Sequence, residues 1–339
     1  MPGGTSVPVA SEAVPSRRGC RPRLIVAGNA DVDLILGPVP AWPRKGTEIT
    51  VEHFVKRVGG ALGNTALALA RMGVSAQLVW DVGNDMLGAW LAAELGTGTP
   101  PRVLDAPTSV TVALSHPDGE RTFVSYLGHL AHSDAATLAA AVETAASGDL
   151  LLVGGSFLLP RWRPELPALL ERARTRAVVT ALDTGWPPEG WSAAVRAELS
   201  ETLAHVDLFL PNLDEARGLL DLSGATPLEA LRGLRPLVAG RTALKLGAAG
   251  AATLDASGEL LVVSAPATEV VDTVGAGDTS NAVLLAGLRD GLSLQAALRL
   301  AVEVTSLALG TLPRRLPVWE ALRRRERAVG QSGGSRHRS

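Results

Sequence analysis

The stretch Val271-Asp272-Thr273-Val274-Gly275-Ala276-Gly277-Asp278-Thr279 decides how this chain is read. It follows an apolar, strand-like segment and opens an apolar, helix-like one. Main-chain N–H groups at a helix start lack intrahelical partners and carry the positive end of the helix dipole, so they attract phosphate oxygens. Gly275 and Gly277 have no Cβ and let the backbone come close to such a group. Asp278 then puts a carboxylate where an anion is otherwise favoured. That placement makes sense if a base stands beside a phosphoryl group in transit.

Outward from this stretch, strands and helices alternate. Asp149–Val153, Ala177–Leu182, Val206–Leu210 and Thr242–Leu246 read as strands with helical segments between them. Such alternation implies a parallel sheet covered on both faces, a doubly wound α/β fold. Near the start, Arg23–Gly28 reads as a short buried strand and Gln77–Trp80 as another. Gly59-Gly60 opens a helix through Ala70, with Gly73 as its stop. Asp33–Leu36 and Thr47–Val55 read as strands around the proline-rich turn Pro38–Pro43. Residues 109–126 read as a hairpin turning at Pro117-Asp118-Gly119. These last pieces, about 32–58 and 108–127, are expected to form a small sheet standing off the main body.

The 339 residues suffice for one large domain, and a 46% hydrophobic content supports a sizeable core. One cysteine, Cys20, excludes an internal disulfide framework and a multi-cysteine metal site, and fits a reducing cytoplasm. The first residues lack the apolar centre of a signal peptide, and no apolar run is long enough to span a bilayer. A cytoplasmic protein without membrane attachment is therefore expected. Charge is uneven: residues 1–23 hold four arginines and one glutamate, and residues 323–339 hold six arginines and one glutamate. The net −2 of the chain then leaves −10 for residues 24–322, which argues against a nucleic-acid partner. Segments 1–22 and 323–339 are expected to be disordered basic tails flanking a domain at 23–322.

Four further motifs carry polar chemistry. Gly59, Gly60 and Asn64 sit at a strand-to-helix transition and suit a loop closing over a polar ligand, although such glycine turns are commonly structural. Asp31 and Asp33 follow the first strand, and strand alternation points both carboxylates to one face. They suit recognition of sugar hydroxyls; an ordinary polar turn is the other reading. Asn212 and Glu215 stand three apart at a helix start, close to a capping box. A second role for Glu215 near metal and phosphate is compatible with that. Lys245, Gly247 and Gly250 follow another strand, where the lysine either offsets triphosphate charge or is a solvated strand end. The histidines show no metal-ligand spacing, and neither a Walker-type loop nor a Rossmann fingerprint is present.

Taken in order, these pieces resemble the ribokinase-like (PfkB-type) carbohydrate and nucleoside kinases, from about Leu24 to Leu322. The most specific parts are GGALGNTALALARMG at 59–73 and DTVGAGDTSNAVLLAGL at 272–288, with PNLDEA and KLGAAGA between them. The resemblance implies a doubly wound, mainly parallel sheet with a β-sheet lid and ATP-dependent phosphorylation of a hydroxyl. It implies Asp278 as general base and the amides of Gly275, Ala276, Gly277 and Asp278 as anion hole. It places Asn212, Glu215, Lys245, Gly247, Gly250 and Thr273 on the nucleotide side, with Mg²⁺ reached from Glu215 through water. It places Asp31, Asp33, Gly59, Gly60 and Asn64 on the acceptor. Asp272 and the Val274 backbone match a monovalent-cation site, with K⁺ as the expected ion. A homodimer through the lid is in keeping with such sheets.

Ser280 stands where a phenylalanine is usual, which removes an aromatic packing contact and leaves the chemistry intact. Two departures bear on the acceptor: Ala61 replaces a lysine, and Gly154-Gly155 stand where ribokinases carry a ribose-binding glutamate. The expected activity is phosphorylation of a small sugar. One rival keeps the chemistry and takes a nucleoside, with Phe54, Phe123 and Tyr126 as the few stacking candidates. Another is a catalytically silent scaffold on a kinase fold. A nicotinamide dehydrogenase shares the alternation but needs the early glycine fingerprint that is missing.

Overall fold

A computed structural model describes residues 21–96, 98–117, 121–311 and 314–333. Six parallel strands form the main sheet in the order Arg241–Thr242, Leu208–Phe209, Val179–Asp183, Leu150–Gly154, Leu24–Gly28, Gln77–Val79. The central strands are apolar at every position, as a sheet buried on both faces requires. Period-two alternation divides them between two cores. Leu24, Val26, Leu150 and Leu152 pack with the helices Ala61–Arg71, Ala276–Arg289 and Leu294–Leu309. Ile25, Ala27, Leu151 and Val153 pack with Ala136–Thr144, Leu166–Thr175, Ala193–Leu203 and Leu213–Leu220. Helices therefore cover both faces, as expected.

The chain leaves Leu24–Gly28 for Gln77–Val79 on one side and later enters Leu150–Gly154 on the other. The sheet thus changes direction beside Leu24–Gly28, and the carboxyl ends of its strands there mark the crevice in which such sheets bind ligands. Above this crevice stands a four-stranded sheet in the order His53–Gly59, Asp31–Gly37, Val110–Ser115, Arg121–Tyr126. It is the expected lid. Its turn residues Asp118 and Gly119 lie outside the described residues.

Several boundaries differ from expectation. The lid's edge strand is His53–Gly59, not Thr47–Val55, and it pairs so that Gly59 lies opposite Asp31 and Arg57 opposite Asp33. Both runs are rich in strand formers; pairing with Asp31–Gly37 selects the second. The expected strand Thr242–Leu246 breaks at Ala243: Arg241–Thr242 joins the main sheet, while Leu244–Lys245 pairs antiparallel with Ala251–Leu254. The helix Met86–Leu95, capped by Asp85, and the parallel pair Asp81–Gly83 with Arg102–Leu104 were not anticipated.

The expected tail at 323–339 is also corrected, because Trp319–Gly333 is a helix. Trp319 and Leu322 are buried. The Trp319 indole donates to Asp290 at 2.9 Å, and Arg325 pairs with Glu303 at 2.7 Å. Apolar anchors and ion pairs thus hold part of the basic segment on the body. Residues 1–20 and 334–339 lie outside the described residues. Among the described residues no helix is long and apolar enough to cross a membrane.

Candidate active site

Gly275 caps the helix Ala276–Arg289 in the left-handed conformation, φ 75°, which favours glycine. No side chain caps this helix start. The Ala276 N–H instead closes a turn on the Thr273 carbonyl at 3.1 Å. The Ala276 donor, part of the expected anion hole, is thus engaged in that turn in this structure. Among the described residues, the N–H groups of Gly277 and Asp278 are not spent on main-chain carbonyls and remain available to an anion.

Asp278, one step further along the helix, faces residues from four other segments. Burial pushes its carboxyl up to about 7, with the Asp183 carboxylate adding to the shift; Lys245, Asn64 and Arg314 pull the other way. A carboxylate poised near neutrality suits a general base. Asn64 reaches the site from the first turn of Ala61–Arg71 and lies close enough to Asp278 to favour its charged form. A Cβ on Gly275 would stand 2.9 Å from the Asn64 Cγ, so the two glycine-rich motifs touch. Asn29 supplies what Gly60 cannot as N-cap: its side chain accepts the Ala61 N–H at 3.1 Å.

The two carboxylates expected to take the acceptor lie on the lid strand Asp31–Gly37. Asp31 and Asp33 are both buried, and each is raised above the usual carboxylate range, by burial first. Asp33 adds to the shift at Asp31, and Arg57 moderates it at Asp33. Gly59 leaves room for the two: a Cβ there would lie 2.3 Å from Asp31 Oδ1 and 2.4 Å from Asp33 Oδ1. Gly59→Ala is therefore expected to displace both carboxylates and lower kcat/KM for the acceptor by about 100-fold. Unchanged ATP binding in calorimetry would localise the damage; unaltered acceptor kinetics would show that the carboxylates do not bind it.

On the nucleotide side, Asn212 and Glu215 form a complete capping box, with both reciprocal bonds at 2.8 Å. Glu215 is buried, and burial with Asp183 nearby pushes it up to about 7. Lys245 is not a solvated strand end. Its Nζ lies 2.6 Å from Asp183 Oδ2 and 3.3 Å from where a Cβ on Gly277 would be. Burial opposes its charge, but Asp183 and Glu215 outweigh that and hold its pKa above the ordinary value. Gly247 and Gly250 bracket a single 3₁₀ turn next to the Lys245 strand. Thr273 is exposed at the mouth of the helix start.

Three side chains escaped the sequence reading. Asp183 ends a main-sheet strand and holds both Lys245 and the Asn281 amide, the latter at 2.5 Å. Its position at the carboxyl end of a parallel strand was the available signal. Arg57 ties the lid to the helix-start loop by a 2.7 Å pair with Asp272 and lies 3.7 Å from Asp33. Arg314 occupies the place where Asp272 and Val274 were expected to hold a monovalent cation: its guanidinium donates to both carbonyls. No signal in the sequence singles out Arg57 or Arg314.

A helix start with uncapped amides and a carboxylate raised in pKa, next to the acidic pair of the lid strand, is an arrangement suited to moving a phosphoryl group onto a hydroxyl. The chain belongs to the pfkB family of carbohydrate kinases, whose model matches residues 23–318. It is thus a phosphotransferase with an alcohol group as acceptor. It is 28% identical over 314 residues to ribokinase from Arabidopsis thaliana, covering 86% of this chain and 78% of that protein. It is 29% identical over 295 residues to the uncharacterized sugar kinase YegV of Escherichia coli strain K12, covering 86% and 89%. The fold matches the structure of Arabidopsis thaliana ribokinase complexed with ribose and ATP at a TM-score of 0.72 and 23% identity, over 90% of this chain and 98% of that one.

Proposed function

We propose that this carbohydrate kinase transfers the γ-phosphate of ATP to a hydroxyl of a small sugar, with Asp278 as the base. The observation that carries the reading is the convergence of the Asp278 carboxyl, the unspent Gly277 and Asp278 amides and the Asp31–Asp33 pair on one cleft. Asp31 and Asp33 orient the acceptor by accepting from its hydroxyls. Asp278 takes the proton of the attacking oxygen, and the helix-start amides stabilise charge on the transferring group. Lys245, 3.3 Å from where a Cβ on Gly277 would be, adds positive charge on the phosphate side. Glu215 fits Mg²⁺ held through water: it is buried, raised in pKa and adjacent to the Lys245–Asp183 pair, so a further cation would relieve it. Magnesium bound with the nucleotide would neutralise phosphate charge there.

Two features favour a small sugar other than ribose. Ala61 packs against Gly154 and Gly155, its Cβ 3.1 Å and 3.3 Å from where their Cβ atoms would stand, so no long side chain reaches the acceptor from either position. Of the three aromatic candidates for stacking a base, only Phe123 shares the lid face of Asp33, through Ala113 and Ile35. Phe54 and Tyr126 register with Leu36 and Val32, on the other face. Those two are exposed, as is Phe123.

ADP formation across a panel of aldoses, ketoses, sugar acids and nucleosides, with product mass as the second readout, tests the reading. A sugar gaining one phosphate is expected. Phosphorylation confined to nucleosides would replace this proposal with the rival, and no phosphorylated product from any acceptor would remove it.

A further inference from the structure

Asp272 and Val274 turn two main-chain carbonyls toward one point behind the helix-start loop, and the Asp272 carboxylate lies beside them. Arg314 fills that point. Its Nη2 donates to the Asp272 carbonyl at 3.0 Å and to the Val274 carbonyl, and lies 3.8 Å from Asp272 Oδ2. Its Nη1 reaches Thr279 Oγ1 at 3.4 Å, inside the helix whose first turn holds Asp278. The side chain is only 10% exposed. One guanidinium therefore spans the Gly275 turn, gripping the loop before it and the helix after it.

Converging carbonyl oxygens repel one another and need a positive charge to stay aligned. A metal ion cannot share these oxygens with a guanidinium already bonded to them, and Arg57 supplies a second positive charge 2.7 Å from the same carboxylate. The planar, permanently charged fork of arginine suits a fixed set of acceptors. Arg314 comes from the segment that follows the helix Leu294–Leu309, and the end of that helix also clips the loop, with the Val271 N–H on the Leu309 carbonyl at 2.9 Å. The guanidinium thereby fixes the backbone on both sides of Gly275, directly ahead of the Gly277 and Asp278 amides.

We propose that Arg314 is a positioning residue that does for this chain what a bound monovalent cation would do, locking the 272–275 loop so that the kinase works without K⁺. The inference rests on the kinase reading for its catalytic consequence, but not for its test. Wild type, Arg314→Ala and Arg314→Lys are exchanged into tetramethylammonium chloride and titrated with KCl at constant ionic strength. Thermal melting and Tl⁺ binding by ²⁰⁵Tl NMR, with Tl⁺ as the K⁺ probe, require no acceptor. Wild type is expected to bind no Tl⁺ at this loop and to melt at the same temperature with and without about 100 mM K⁺, while Arg314→Ala takes up Tl⁺ and melts about 2 °C higher with K⁺.

With an acceptor from the panel, kcat of Arg314→Ala is expected to fall at least about tenfold without K⁺ and to recover in part with it, KM for ATP changing little. Arg314→Lys, which keeps a charge, should stay K⁺-insensitive. Tenfold activation or a clear melting shift of wild type by K⁺ overturns the proposal, as does an Arg314→Ala protein indifferent to K⁺ in melting, Tl⁺ uptake and kcat. If the alanine variant fails to fold, wild type and the lysine variant still decide. If no acceptor is phosphorylated, the kinase reading fails while melting and Tl⁺ uptake still judge the cation replacement.

Discussion

Asp278→Asn is expected to lower kcat by about 10²–10⁴-fold while nucleotide binding and fold persist, because the amide keeps the shape of the carboxylate and loses only its capacity to take a proton. The same substitution should change stability in a pH-dependent way. In the folded protein burial, with Asp183 beside it, raises the Asp278 pKa to about 7, well above its unfolded value. A raised carboxyl binds its proton more tightly when folded. It costs no stability below the unfolded pKa, and an increasing amount as pH climbs toward and through 7. Asp278→Asn should therefore be more stable than wild type at pH 8, by on the order of a few kcal/mol and with a correspondingly higher melting temperature, and match it near pH 4. Near-wild-type turnover would remove Asp278 from the chemistry, and equal melting at pH 8 would remove the electrostatic strain. Both expected effects come from one cause: a charge kept where the proposed catalysis needs it and folding does not.

The second large effect is expected at Asp183. Its carboxylate is the partner of the Lys245 ammonium at 2.6 Å and of the Asn281 amide at 2.5 Å. Asp183→Ala leaves a buried ammonium without its counter-charge and should cost about 3–5 kcal/mol, read as a lower denaturant midpoint. Asp183→Asn keeps volume and is the variant for kinetics. Because Asp183 raises the Asp278 pKa and partly neutralises Lys245, losing its charge lowers that pKa. The acid limb of the kcat/KM profile, expected near pH 7 in wild type, should move to lower pH in Asp183→Asn. An unmoved limb would show that the base does not feel this carboxylate, and the sequence of charges drawn here around Lys245 would be wrong.

These two residues show what local patterning does and does not contain. Asp278 was legible because its surroundings are contiguous: a glycine turn, a helix start and an acid within a few positions. The Asn212–Glu215 pair was legible for the same reason, since a capping box is a three-residue relation, and the structure shows both of its bonds. Asp183 was not, because its role is set by Lys245, 62 positions away, and Asn281, 98 positions away. The motif offers the Ala276 amide to an anion, and the fold adds that this amide also closes a turn onto Thr273. A motif names the donors; only coordinates show which are spent.

The main-sheet alternation of strands and helices, the glycine turns and the Asn212–Glu215 cap were determined by the sequence alone, because periodicity and backbone sterics act over a few residues. Tertiary structure decided the lid's register, the burial that lifts Asp278 and Glu215, and the two arginines around Asp272. Arg57 meets that aspartate across 215 positions and Arg314 grips its carbonyl across 42. Charges so far apart in the chain become neighbours only when the sheet, lid and C-terminal helices pack, and the low dielectric that gives such pairs their strength exists only then.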